Sequence, residues 1–164
     1  MTQTLAFSWP FIATGTHGVS SDAQVIMGIL VDIILTSQND ITFAARRSRI
    51  LDNLLKAASE ASVNNWDSYG AKAVTFNSFQ SAISFLTHFP SSFQDPDVAV
   101  DPDGEVLLEW YVSSRRRFLV SVSDRGTISY AGIFGINKIH GTEEFVDKIP
   151  EMVIQGVARI FAAH

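Results

Sequence analysis

Six carboxylates stand close together in the middle of the chain: Asp95, Asp97, Asp101, Asp103, Glu105 and Glu109, with no lysine or arginine between Lys72 and Arg115. Oxygen ligands of this kind suit Mg²⁺, Mn²⁺ or Ca²⁺. The alternate spacing of Asp101, Asp103 and Glu105 lacks the remainder of a calcium loop, and acidic residues at hairpin tips serve solubility and guard sheet edges. Other chemistries find less to work with. The sequence contains no cysteine and no G-x-S-x-G around a nucleophilic serine. Its histidines, His17, His88, His140 and His164, show no metal-binding spacing, and no glycine-rich phosphate loop is present. The sequence therefore yields no catalytic residue, no metal ligand set and no cofactor.

The elements that would position these acids lie between Asp95 and Phe134. Asp124-Arg125-Gly126 and Pro102-Asp103-Gly104 each end on the glycine that a three-residue hairpin needs in the left-handed region. They predict Ser123 opposite Thr127, Val122 opposite Ile128, Asp101 opposite Glu105 and Val98 opposite Leu108. The turn around Ser114-Arg115-Arg116 has no glycine. Pairing Val112 with Phe118 and Trp110 with Val120 keeps the apolar residues on one face, since a slip of one residue inverts every side chain. Four antiparallel strands result. One face carries Val98, Val100, Val106, Leu108, Trp110, Val112, Phe118, Val120, Val122, Ile128, Tyr130 and Phe134. The other carries Asp97, Asp101, Glu105, Glu109, Ser121 and Ser129 beside an apolar stripe of Tyr111, Leu119, Ala131 and Ile133. Arg115, Arg116 and Arg117 fall at the far turn, which places acid at one end of the sheet and base at the other.

Helical periodicity marks Phe43 to Ala61 (Ile50, Leu51, Leu54, Leu55 and Ala58 on one face), with Arg46 and Arg49 solvated, and Phe76 to Phe89, stopped by Pro90. A last helix runs from Pro150 to Ala162. The loop Asn64 to Ala73 folds Trp66 and Tyr69 back as apolar anchors. Gly135 to Gly141 reads as a loop or short edge strand, and Thr142 as an N-cap for Glu143 and Glu144. Before residue 41 the pattern gives a short strand at Leu5 to Ser8 and, behind the capping box Ser21 to Gln24, a helix from Asp22 to about Ser37, buried if helical, whose β-branched content equally suits a buried strand. This apolar segment, residues 1–40, belongs to the core or to a dimer interface.

Three motifs carry a resemblance: Asn65-Trp66-Asp67-Ser68-Tyr69-Gly70-Ala71; Asp101-Pro102-Asp103-Gly104-Glu105 leading to Glu109-Trp110; and Tyr130-Ala131-Gly132 followed by His140-Gly141. In that order they resemble a loose group of short, uncharacterised bacterial proteins, across roughly Asn64 to Phe145, with Ser68 where the first motif has glycine. The group has no established activity. It implies bacterial origin and an accessory or mobile-element setting.

At 164 residues and 46% apolar content, the chain is read as one domain with its own core. A net charge of −5 disfavours nucleic acid. The apolar run from Val25 to Thr36 is shorter than the ~20 residues a membrane-spanning helix needs. With no basic residue before Arg46, the start lacks the charge pattern of a leader, so the expected location is cytoplasmic. The reading is an α+β fold: a four-stranded antiparallel meander with helices on one face, and a protein-binding face made of Asp97, Asp101, Glu105, Glu109, Tyr111, Leu119, Ser121 and Ser129. The expected function is a non-enzymatic interaction module, of the inhibitor or antitoxin type, with a protein partner and the capacity to form a homodimer. The alternative is a divalent-metal hydrolase or nuclease acting on the same acidic face.

Overall fold

The computed structural model describes Ile26, residues 41–146 and residues 148–162. Helix α1 (Ile41–Glu60) and helix α2 (Phe76–His88) precede five strands, β1 (Asp97–Val100), β2 (Val106–Ser113), β3 (Arg116–Val122), β4 (Thr127–Phe134) and β5 (Asn137–Glu144), and helix α3 (Glu151–Phe161) follows. The strands form one antiparallel sheet in sequence order. The fold is thus α+β with an antiparallel meander, as the alternation predicts, but with five strands rather than four.

The fifth strand takes up the edge-strand alternative for residues 137–141 and corrects the helical reading of residues 142–144. Thr142, Glu143 and Glu144 look like the start of a helix, yet they pair with Ser129, Ile128 and Thr127. A two-residue turn, Gly135-Ile136, with Gly135 at φ 68°, closes the hairpin between Phe134 and Asn137. Helix α3 begins later, behind Pro150. The other turn glycines behave as their positions require: Gly104 has φ 85° and Gly126 φ 73°. A Cβ on Gly104 would lie 2.6 Å from the carbonyl oxygen of Ala73, so this turn can approach the preceding loop only as glycine.

The register around the glycine-free turn also needs correction. Trp110 faces Phe118 and Leu108 faces Val120, a shift of two residues from the predicted pairing. Because the shift is even, the faces are preserved. The ladder breaks between Tyr111 and Ser113, which leaves Val112 in the irregularity, 42% exposed rather than in the core.

The remaining predicted core face is the core. Leu108, Trp110, Phe118, Val120, Val122 and Ile128 are buried, and helix α3 covers them with Val153, Val157 and Ile160. Gly156 allows this close approach, since a Cβ there would enter the Phe118 ring. Trp110 packs on Phe89 with ring centroids 4.9 Å apart, and its indole N–H donates to the Gln94 carbonyl at 2.8 Å. In α2, Thr75 caps the helix by accepting from the Ser78 N–H at 3.1 Å. The buried Ser78 hydroxyl then donates to Val122 O at 2.5 Å and accepts from Val106 N at 3.0 Å, fastening the helix to two strands.

Some of the arginines are committed to structure. Arg46, expected to be solvated, is largely buried and reaches Asp95 at 2.6 Å, tying α1 to the segment entering β1, while Arg49 stays largely exposed, as expected, 3.5 Å from the same carboxylate. Arg116 donates to the carbonyls of Ile160 and Ala162, where orphan acceptors end α3. Ile26 is helical and 2% exposed within the core cluster. The strand at Leu5 to Ser8, the rest of the helix from Asp22 to Ser37, His17 and His164 lie outside the described residues. No helix among the described residues is long and apolar enough to cross a membrane.

Candidate functional site

The described helices that contact β2, β3 and β4 pack on the core face, and alternation sends every second strand residue to the opposite, open face. Register orders that face into rows. One runs Asp97, Glu109, Leu119, Ala131 and His140 across β1 to β5. On one side of it lies Ala99, Leu107, Ser121, Ser129 and Thr142; on the other, Tyr111, Arg117, Ile133 and Lys138.

All eight predicted residues fall on or beside this face, in three different situations. Asp101, Glu105 and Ser121 form one cluster. Asp101 Oδ1 accepts from the N–H groups of Asp103 (2.9 Å) and Glu105 (3.1 Å), so this carboxylate organises its own turn. The Ser121 hydroxyl, which has a single proton, stands 2.6 Å from Glu105 Oε2 and 3.2 Å from Asp101 Oδ2. Asp97 and Glu109 are direct cross-strand neighbours, as expected. However, Glu109 is not a free acid: Arg117 Nη2 approaches Glu109 Oε1 at 2.8 Å. The opposition of acid at one end and base at the other therefore fails. Arg117 is drawn up the sheet to Glu109, Arg116 turns to α3, and Arg115 alone stays exposed at the turn. Finally, Tyr111 is 54% exposed, Leu119 half-buried, and Ser129 exposed with its hydroxyl 3.1 Å from that of Thr142.

The loop of residues 64–73 and the turn of residues 102–104 meet in space beside the acidic cluster. Lys72 N–H donates to Pro102 O at 2.9 Å, and the Lys72 ammonium stands 3.3 Å from Asp103. The loop is held by its own polar side chains. Asp67 Oδ1 accepts from Tyr69 N (2.8 Å) and Ala71 N (3.0 Å), Asn65 Oδ1 from Gly70 N (2.8 Å), and Asn64 Oδ1 from Ala73 N (3.0 Å). The N–H bonds from Ala71 and then Tyr69 hold the Asp67 carboxyl below its ordinary pKa. Trp66 anchors the loop against the core and donates to Lys72 O at 3.0 Å. Tyr69 does not anchor it: the tyrosine is 94% exposed at the tip of the loop. The motif at residues 130–141 is packing. Tyr130 faces Gly141, where a Cβ would strike its ring, and its hydroxyl donates to Glu143 at 3.3 Å. Burial, and then the charge of Glu143, push the Tyr130 phenol above its usual pKa.

Sequence reasoning missed Arg117 as a partner of Glu109, and the β5 contribution of Lys138, His140 and Thr142. The alternation Lys138, His140, Thr142, Glu144 was the available signal. Among the described residues, no group of three or more His, Asp or Glu side chains is placed to hold a metal ion. The cleft between α1 and α2, lined by Ile50, Leu51, Ile83 and Leu86, offers about 20 Å³, room for one water.

No known protein family, curated protein or solved structure matches the chain.

Proposed function

We propose that this chain is a non-enzymatic, cytoplasmic interaction module, of the inhibitor or antitoxin type, that binds a basic protein partner on the open face of its sheet. The observation that carries this reading is the composition of that face. An apolar stripe of Tyr111, Leu119, Ala131 and Ile133, with Arg117 standing between Tyr111 and Ile133, crosses a face whose β1–β2 side is acidic through Asp97, Asp101 and Glu105. Such a stripe supplies contact area and its charged border selects the partner. Catalysis would need groups converging on one reacting atom. Here Asp101 and Glu105 converge on the Ser121 hydroxyl, with no histidine or further base in that cluster among the described residues, while Asp101 is also engaged in its turn and Glu109 with Arg117.

Thermal melting with Mg²⁺, Mn²⁺ and Ca²⁺ tests this against the hydrolase alternative. The expected result is an unchanged melting temperature with each ion. A rise in the parent that vanishes in Asp101→Asn/Glu105→Gln would put the metal-dependent reading ahead.

A further inference from the structure

We propose that β5 pairs edge to edge with β5 of a second copy of this chain, antiparallel about a twofold axis at Gly141, so that two sheets join into one. The two edges of the sheet differ. Helix α1 lies against β1, whereas among the described elements β5 touches β4 alone. The Phe145 N–H donates to Gly126 O at 2.8 Å, which fixes the alternation of the β4–β5 ladder. The N–H and C=O groups of Lys138, His140, Thr142 and Glu144 consequently point away from β4. All four residues are exposed. A lysine on an open edge ordinarily repels a second edge. With Gly141 opposite Gly141, however, Lys138 faces Glu144 of the second copy, and Glu144 faces its Lys138. His140 faces Thr142 in the same way.

A separate observation selects the same register. The residues just beyond β5, Ile136 and Val146, are large aliphatic side chains that stand 91% and 80% exposed. In this register Ile136 lies opposite Val146 of the second copy at both ends of the pairing. Sliding by two residues in one direction sets Ile136 against Glu144 and His140 against His140. Sliding in the other sets Lys138 against Val146. One register therefore matches the charges and both apolar ends. Residues directly opposite in an antiparallel ladder share a face, so the two open faces lie on the same side of the joined sheet. The pairing holds whether or not the open face has a basic partner.

The test is the mass of the full chain in solution by light scattering over a concentration series. An eight-residue edge makes a small interface, so dimer should be evident by about 0.5 mM. Lys138→Glu and Glu144→Lys should each lower the dimer fraction at least about tenfold in dissociation constant, by setting like charges opposite. The combined exchange, Lys138→Glu with Glu144→Lys, should restore it, because the two positions face each other only across the axis. Thr142→Pro, which removes an outward N–H and leaves the β4 ladder bonded, should give a monomer. The chain has no cysteine of its own, so Ile136→Cys/Val146→Cys should oxidise to a dimer joined between chains. A parent that stays monomeric at that concentration overturns the proposal. So does a dimer indifferent to both single charge reversals, or one that the combined exchange fails to restore.

Discussion

Asp67 shows how much of a loop one carboxylate can hold. Its ionised form accepts two backbone N–H bonds, which keep its folded pKa below the unfolded value. The stabilisation is present above the unfolded carboxylate pKa of about 3.9 and is lost as pH falls through the lower folded value. Trp66 fluorescence should therefore be constant from neutral pH down to about pH 4 and change below it. Asp67→Asn retains an acceptor oxygen and should lose that acid step, while Asp67→Ala should show a loosened loop at every pH. An acid step that persists in the asparagine variant would assign it to another group. On the open face, Asp97 and Glu109 look equivalent in sequence and are not. Asp97 is an exposed acid directly opposite another acid, so Asp97→Asn should be neutral or stabilising by a few tenths to ~1 kcal/mol. Glu109→Gln strands Arg117 and should cost up to ~1 kcal/mol. Denaturant melts of the two single variants check the opposite signs, and equal effects would count against the Glu109–Arg117 pair.

Among the elements, what turn chemistry encodes was readable and what long-range pairing decides was not. Gly104 and Gly126 announced two hairpins and their registers correctly. The turn between β2 and β3 has no such marker, and the irregularity at Val112 moved its register by two residues. The second half of β5 was hidden because Thr142-Glu143-Glu144 has the local chemistry of a helix start, and only the partnership with β4 overrides it. The core face survived these errors because it depends on parity alone. Trp110, buried between sheet and Phe89, should accordingly cost ~3–5 kcal/mol on truncation to alanine. Gly156→Ala, which adds a methyl group to helix α3, should cost ~1–3 kcal/mol by forcing Phe118 aside. Loss of less than ~1 kcal/mol at Trp110 would mean that the two faces have been exchanged.

For the whole molecule, the motifs at residues 65–71, 101–110 and 130–141 resolve largely into structural duties. Asp67 and Asn65 shape a loop, Gly104 admits that loop to the β1–β2 turn, Trp110 fills the core, and Gly141 makes room for Tyr130. Motif residues with such duties say little about function, which is why the sequence could outline the candidate face and not its use. What these duties leave over is Tyr69 on its loop tip, the acidic border and the Tyr111 stripe. The most direct measurement compares capture by the parent, by Asp97→Asn/Tyr111→Ser on the open face, and by Gln155→Ala on exposed α3, from lysate of the host at low and moderate salt, with proteins identified by mass spectrometry. A basic protein should be retained by the parent and by Gln155→Ala, and lost from the open-face variant, with the parent's retention weaker at higher salt. Identical retention by all three at both salt concentrations would contradict a docking role for the open face.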